Sequence, residues 1–93
     1  MMKRYISASS MKLPAGFKKR SLRWIKDNFD LDFLEDDKMD CEAAGLEFVG
    51  YATPSDYDGA YCVVARDIGT GEVSCYITEF GRMFKITSPD EMY

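Results

Sequence analysis

Ninety-three residues make one domain: a chain of this length buries roughly 60–65% of its unfolded surface, enough for a single modest core. A hydrophobic fraction of 46% puts it outside the disordered range, and the longest apolar run, the six residues Ala60–Ala65, is far too short for a membrane-spanning helix. Histidine is absent, which removes Ser–His and Cys–His nucleophile pairs and His-ligated zinc.

The net charge of −4 conceals a split. Met1–Lys26 holds eight Lys/Arg and no acid (+8), whereas Asp27 onward holds four basic residues against all sixteen acids (−12). Such asymmetry governs what the surface attracts. The three cysteines, Cys41, Cys62 and Cys75, form an odd set without C-x-x-C spacing, so buried free thiols in a reducing cytoplasm are expected. No signal peptide is expected, because Lys3 and Arg4 lead into Ser-rich sequence where an apolar stretch would have to lie.

Residues 1–12 read as a basic arm with Tyr5 and Ile6 tucked down. Residues 13–29 read as an amphipathic helix opened by Pro14. At 100° per residue Leu13, Phe17, Trp24, Ile25 and Phe29 share one half of the wheel, and Lys19, Arg20, Arg23 and Lys26 share the other. Trp24 is expected in the core. Residues 30–44 form an acidic segment, with a second short helix around Asp32–Asp40 or a loop pinned by its aromatics.

The sheet is expected over residues 45–87, from strands at Gly45–Ala52, Ala60–Asp67, Glu72–Phe80 and Arg82–Thr87. A four-residue loop in the Asp67–Glu72 turn would set Val64 opposite Cys75; a three-residue loop would turn Tyr61, Val63 and Ala65 inward. A two-residue turn at Gly81–Arg82 would pair Ile77 with Ile86 and Glu79 with Phe84. Val73, Cys75, Ile77, Phe84 and Ile86 then share the core face. Tyr76, Thr78, Phe80, Met83 and Lys85 share an oddly aromatic outer one, so Tyr76, Phe80 and Met83 are candidates for self-association. Residues 88–93 form a tail. The architecture implied is α+β, an N-terminal amphipathic helix packed on a three- to four-stranded antiparallel meander.

No catalytic, cofactor or metal motif emerges. An EF-hand started at Asn28 would need glycine at Phe33 and glutamate at Met39. Gly69-Thr70-Gly71 sits between strands with no helix to follow, so it is a turn and not a phosphate cradle. Asp40 and Glu42 disfavour a thiolate at Cys41. Two charged faces are left as binding candidates. Asp30, Asp32, Glu35, Asp36, Asp37, Asp40 and Glu42 could imitate a phosphate backbone before a basic groove. Lys19, Arg20, Arg23 and Lys26 could instead grip phosphates directly, although no base-reading motif accompanies them.

With its MKRYISAS opening, short length, acid-rich surface and helix-plus-meander build, the chain resembles the small acidic accessory proteins of bacteriophages and mobile elements, among them anti-CRISPR proteins. The resemblance implies a cytoplasmic, non-enzymatic inhibitor whose partner is a CRISPR effector or another nucleic-acid-binding complex. It assigns no individual residue.

Overall fold

The computed structural model describes residues 13–29 and 34–92. Its elements are β1 (Phe17–Arg20), α1 (Leu22–Asn28), α2 (Leu34–Ala43), β2 (Leu46–Pro54), β3 (Cys62–Asp67), β4 (Val73–Glu79) and β5 (Arg82–Ile86), closed by a 3₁₀ turn at Pro89–Met92. The strands form one antiparallel sheet in the order β1-β2-β3-β4-β5. The fold is α+β, as expected, with one strand more than expected. Asp30 and Asp32, the basic arm and Tyr93 lie outside the described residues.

The extra strand comes from the segment expected to be one long helix. Gly16, at φ 94°, turns the chain, and Phe17–Arg20 then pairs residue for residue with Pro54–Tyr51. Helix starts only after Ser21, whose hydroxyl accepts the Trp24 backbone N–H at 3.1 Å. Such an N-cap contributes about 1 kcal/mol. Four ladder residues plus a cap outweigh a helical periodicity that is a weak prior by itself. Ile25, fully buried, and Trp24, half-buried, stay in the core as expected, while Phe17 is carried to the other side of the sheet.

Both sheet faces are apolar, and the helices roof the one expected to lie outward. Tyr51, Val63, Ala65 and Tyr76 pack there with Leu46, Ile25 and Cys41, and Trp24, Phe29, Leu34, Phe48, Tyr61 and Met83 surround them. Phe17, Ala52, Cys62, Val64, Cys75 and Ile86 form a second cluster on the reverse face, with Leu13, Val73, Ile77 and Met92 beside it. Strand alternation separates the two sets correctly but cannot say which one a helix will cover.

Turn chemistry sets both hairpin registers. The Asp67 carboxylate accepts the Gly69 and Thr70 backbone N–H groups at 2.8 and 3.1 Å, which closes a four-residue loop and places Val64 opposite Cys75. The last hairpin turns at Phe80–Gly81, not at Gly81–Arg82: both residues have positive φ, 53° and 74°. That is the handedness a two-residue hairpin turn favours. Glu79 therefore faces Arg82, Ile77 faces Phe84 and Cys75 faces Ile86. The slip is two residues, so every side chain keeps its face.

Candidate functional site

Helix α2 packs on β2 and reaches β5. Its sheet side consists of Leu34, Asp37 and Cys41, at spacings of three and four. Glu35, Asp36, Met39 and Glu42 are exposed, and Asp40 is half-buried. Glu35, Asp36 and Asp37 occupy the first turn, where the helix dipole favours negative charge. The one basic residue of the helix, Lys38, stands 4.0 Å from Glu35. Asp36 and Glu42 have no ion-pair partner among the described residues. The outer side of α2 is thus a carboxylate ridge beside the exposed thioether of Met39.

Asp37 belongs to the acidic segment but not to that ridge. Only 6% of it is exposed, and its Oδ2 accepts the Tyr51 hydroxyl at 2.7 Å. Burial raises the Asp37 pKa, the Tyr51 hydrogen bond opposes the rise, and Asp40 and Asp36 add to it. Burial and the Asp37 carboxylate together push the Tyr51 phenol well above its ordinary value. Tyr51 sits in an aromatic chain running from Trp24 through Phe29 and Tyr61 to Phe48, with successive ring centroids 4.7 to 6.2 Å apart. The Asp37–Tyr51 bond thereby fastens the helix to the most heavily packed part of the sheet. Such a bond to a charged group contributes roughly 1.5–3 kcal/mol.

Beside this bond the sheet parts. The β3–β4 ladder ends at Val63 opposite Tyr76, while β3 continues on β2 through Cys62 and β4 continues on β5 to Glu79. The divergence opens a cleft of about 350 Å³, with Asp37, Val63 and Tyr76 among its buried walls and Tyr61, Thr78 and Met92 towards its mouth. A shallower groove of about 510 Å³ runs along the other flank of α2, between Lys38, Glu42, Leu46, Phe48 and Ile68.

The cations do not form a stripe. Lys19 and Arg20, adjacent in a strand, point to opposite faces. Arg20 is engaged internally: its guanidinium stacks 3.9 Å above Trp24, donates to Thr53 Oγ1 at 2.9 Å and pairs with Asp58 at 2.6 Å. Arg23 and Lys26 are exposed on α1, Arg23 lying 3.8 Å from Asp27. Nor do Tyr76, Phe80 and Met83 share a surface. Tyr76 is buried, Met83 packs against the helix-side core, and Phe80, 96% exposed, stands alone at the hairpin tip.

All three thiols are free and buried. Burial, then the charges of Asp37, Asp40 and Glu42, push Cys41 up to about 11, so at neutral pH it is a protonated filler. The hydrogen bond shared with Cys75, then burial, raise Cys62 as well. Among the described residues no group of three or more Cys, Asp or Glu is placed to hold a metal ion, and no helix is long and apolar enough to cross a membrane. No family model, curated protein or solved structure matches the chain.

The Asp37–Tyr51 pair and the cleft beside it went unrecognised in the sequence. The available signal was the Leu34, Asp37, Cys41 spacing, which puts one carboxylate of an acidic run on the buried side.

Proposed function

We propose that the protein is a non-enzymatic inhibitor of a nucleic-acid-handling complex, of which a CRISPR effector is the specific case, and that it acts by laying the α2 ridge into a cationic groove. The observation that supports this is the exposure of Glu35, Asp36 and Glu42 along one helix that the Asp37–Tyr51 bond ties to the sheet. Closely spaced carboxylates held in place compete for Lys and Arg side chains arranged to receive phosphates. Pre-organisation matters, because a mimic that had to order itself would lose affinity to that cost. The chemistry available inside the molecule favours binding over catalysis: the buried carboxylate holds a phenol hydroxyl on one of its oxygens and the Cys41 thiol is held protonated. Cytoplasmic action is part of the same proposal.

The test is a mobility-shift assay on a CRISPR effector and its target DNA. Added protein should release the DNA, and free DNA or RNA should remain unshifted by the protein alone. The triple variant Glu35→Lys, Asp36→Lys, Glu42→Lys should keep its fold and lose inhibition by two orders of magnitude or more, since each reversal turns an attraction into a repulsion (about 1.4 kcal/mol per tenfold). Inhibition undiminished in the variant, or direct retention of free nucleic acid, overturns the proposal.

A further inference from the structure

We propose that the cleft between β3 and β4 is a binding site for an aliphatic ammonium group, with the Asp37 carboxylate as its counter-ion. The inference goes beyond the α2 ridge, because it rests on the inward side of that helix and on the sheet beneath it.

A charge removed from water without a countercharge is costly, and among the described residues no Lys or Arg pairs with Asp37. The Tyr51 hydroxyl occupies one acceptor position on Oδ2. A carboxylate has about four such positions, so acceptor capacity is left over, and the residue lines an open cleft. Its surroundings match an alkylammonium on each count. Tyr61 and Tyr76 line the same cleft, and aromatic side chains attract cations. Thr78, exposed, carries a hydroxyl near the mouth, and Ile77 and Met92, from the reverse-face cluster, supply apolar wall where the cleft passes between the parted strands. The volume, about 350 Å³, falls at the lower end of the range for small-molecule sites.

Alternative ligands fit less well. An anion would meet the Asp37 charge. A hard divalent cation needs several oxygen ligands, and the cleft supplies one carboxylate. A guanidinium binds best as a fork across both carboxylate oxygens, and the bond from Tyr51 to Oδ2 obstructs that arrangement. An ammonium needs only a point contact. The group could arrive on a free alkylamine or at the end of a lysine side chain on a polypeptide, and both present the same chemistry to the cleft.

The test follows the native protein by nuclear magnetic resonance at neutral pH, with n-butylammonium, its neutral isostere n-butanol, butylguanidinium and Nα-acetyl-lysine methylamide as probes. Saturable shifts of the Tyr61, Ile77, Thr78 and Met92 signals are expected with n-butylammonium, at least about tenfold stronger than with n-butanol and stronger than with butylguanidinium. Acetyl-lysine methylamide binding as tightly as butylammonium would identify a polypeptide lysine as the source, and weaker binding a free amine. Asp37→Asn keeps an acceptor for Tyr51 and should weaken butylammonium binding by about tenfold or more. If that variant fails to fold, the preference for ammonium over alcohol in the native protein still decides. Equal binding of n-butanol, no saturable shift at the cleft, or unchanged affinity in Asp37→Asn overturns the proposal. A Glu35→Lys, Glu42→Lys variant, which leaves Asp36 in place beside Asp37, should bind butylammonium within roughly threefold of the native protein, because these exposed charges are screened. Failure of the ridge and failure of the cleft are therefore separable.

Discussion

At the scale of residues, Asp37 illustrates how one position in an acidic run can do the opposite of its neighbours. Glu35 and Asp36 are exposed, whereas Asp37 is folded under with its pKa raised, first by burial. An acid with a folded pKa above its unfolded value of 3.8 binds protons more readily in the native state, so its contribution favours folding at low pH. That contribution is complete below pH 3.8 and is lost as pH rises through the folded value. Above that folded value the ionised carboxylate therefore costs stability. Asp37→Asn should be as stable as the native protein or more so at pH 7, and the fall in its denaturation midpoint above pH 3.8 should be shallower. A variant less stable at pH 7, with the slope unaltered, would mean that the charge is satisfied where it lies. The position was hard to see in the sequence because DNFDLDFLEDDKMDCE carries acids at almost every helical phase, so the Leu34, Asp37, Cys41 spacing stands out only beside the partner Tyr51, fourteen residues away.

At the scale of elements, legibility followed the range of the interactions involved. Strands β2 to β5 could be read because Val, Ile, Tyr and Phe cluster between glycine-marked turns, and those turns are local. Strand β1 could not: Phe17, Trp24 and Ile25 fit one helical face, and only pairing with Tyr51–Pro54, more than thirty residues on, makes Phe17–Arg20 extended. The last register turned on one backbone angle. Phe80 adopts φ 53°, a conformation costing a bulky L-residue roughly 1–2 kcal/mol, and does so with its ring almost wholly in water. Phe80→Asn creates the Asn-Gly pair that two-residue hairpins prefer, and should raise unfolding stability by about 1 kcal/mol. A drop in the denaturant midpoint would show that the ring earns its place through contacts.

At the scale of the whole molecule, the charge split seen in the sequence survives folding in altered form. The exposed acids of α2 remain together as a ridge, while the cations expected to share one helix face separate: Arg20 turns to Trp24 and Asp58, Lys19 to the other sheet face, and Arg23 and Lys26 stay on α1. Among the described residues no ion pair joins Lys19, Arg20, Arg23 or Lys26 to α2: Arg20 pairs with Asp58 in the β2–β3 loop and Arg23 lies beside Asp27 on its own helix. Among the described residues only Lys38 stands beside the ridge, 4.0 Å from Glu35, so Asp36 and Glu42 keep their field for an external partner. Amide hydrogen exchange of the protein, alone and with an excess of a CRISPR effector, tests this most directly. The account predicts slowed exchange concentrated in α2, over Leu34–Ala43, and fading as salt is raised. Exchange unchanged along the whole chain, or protection confined to β1 and α1, would contradict it.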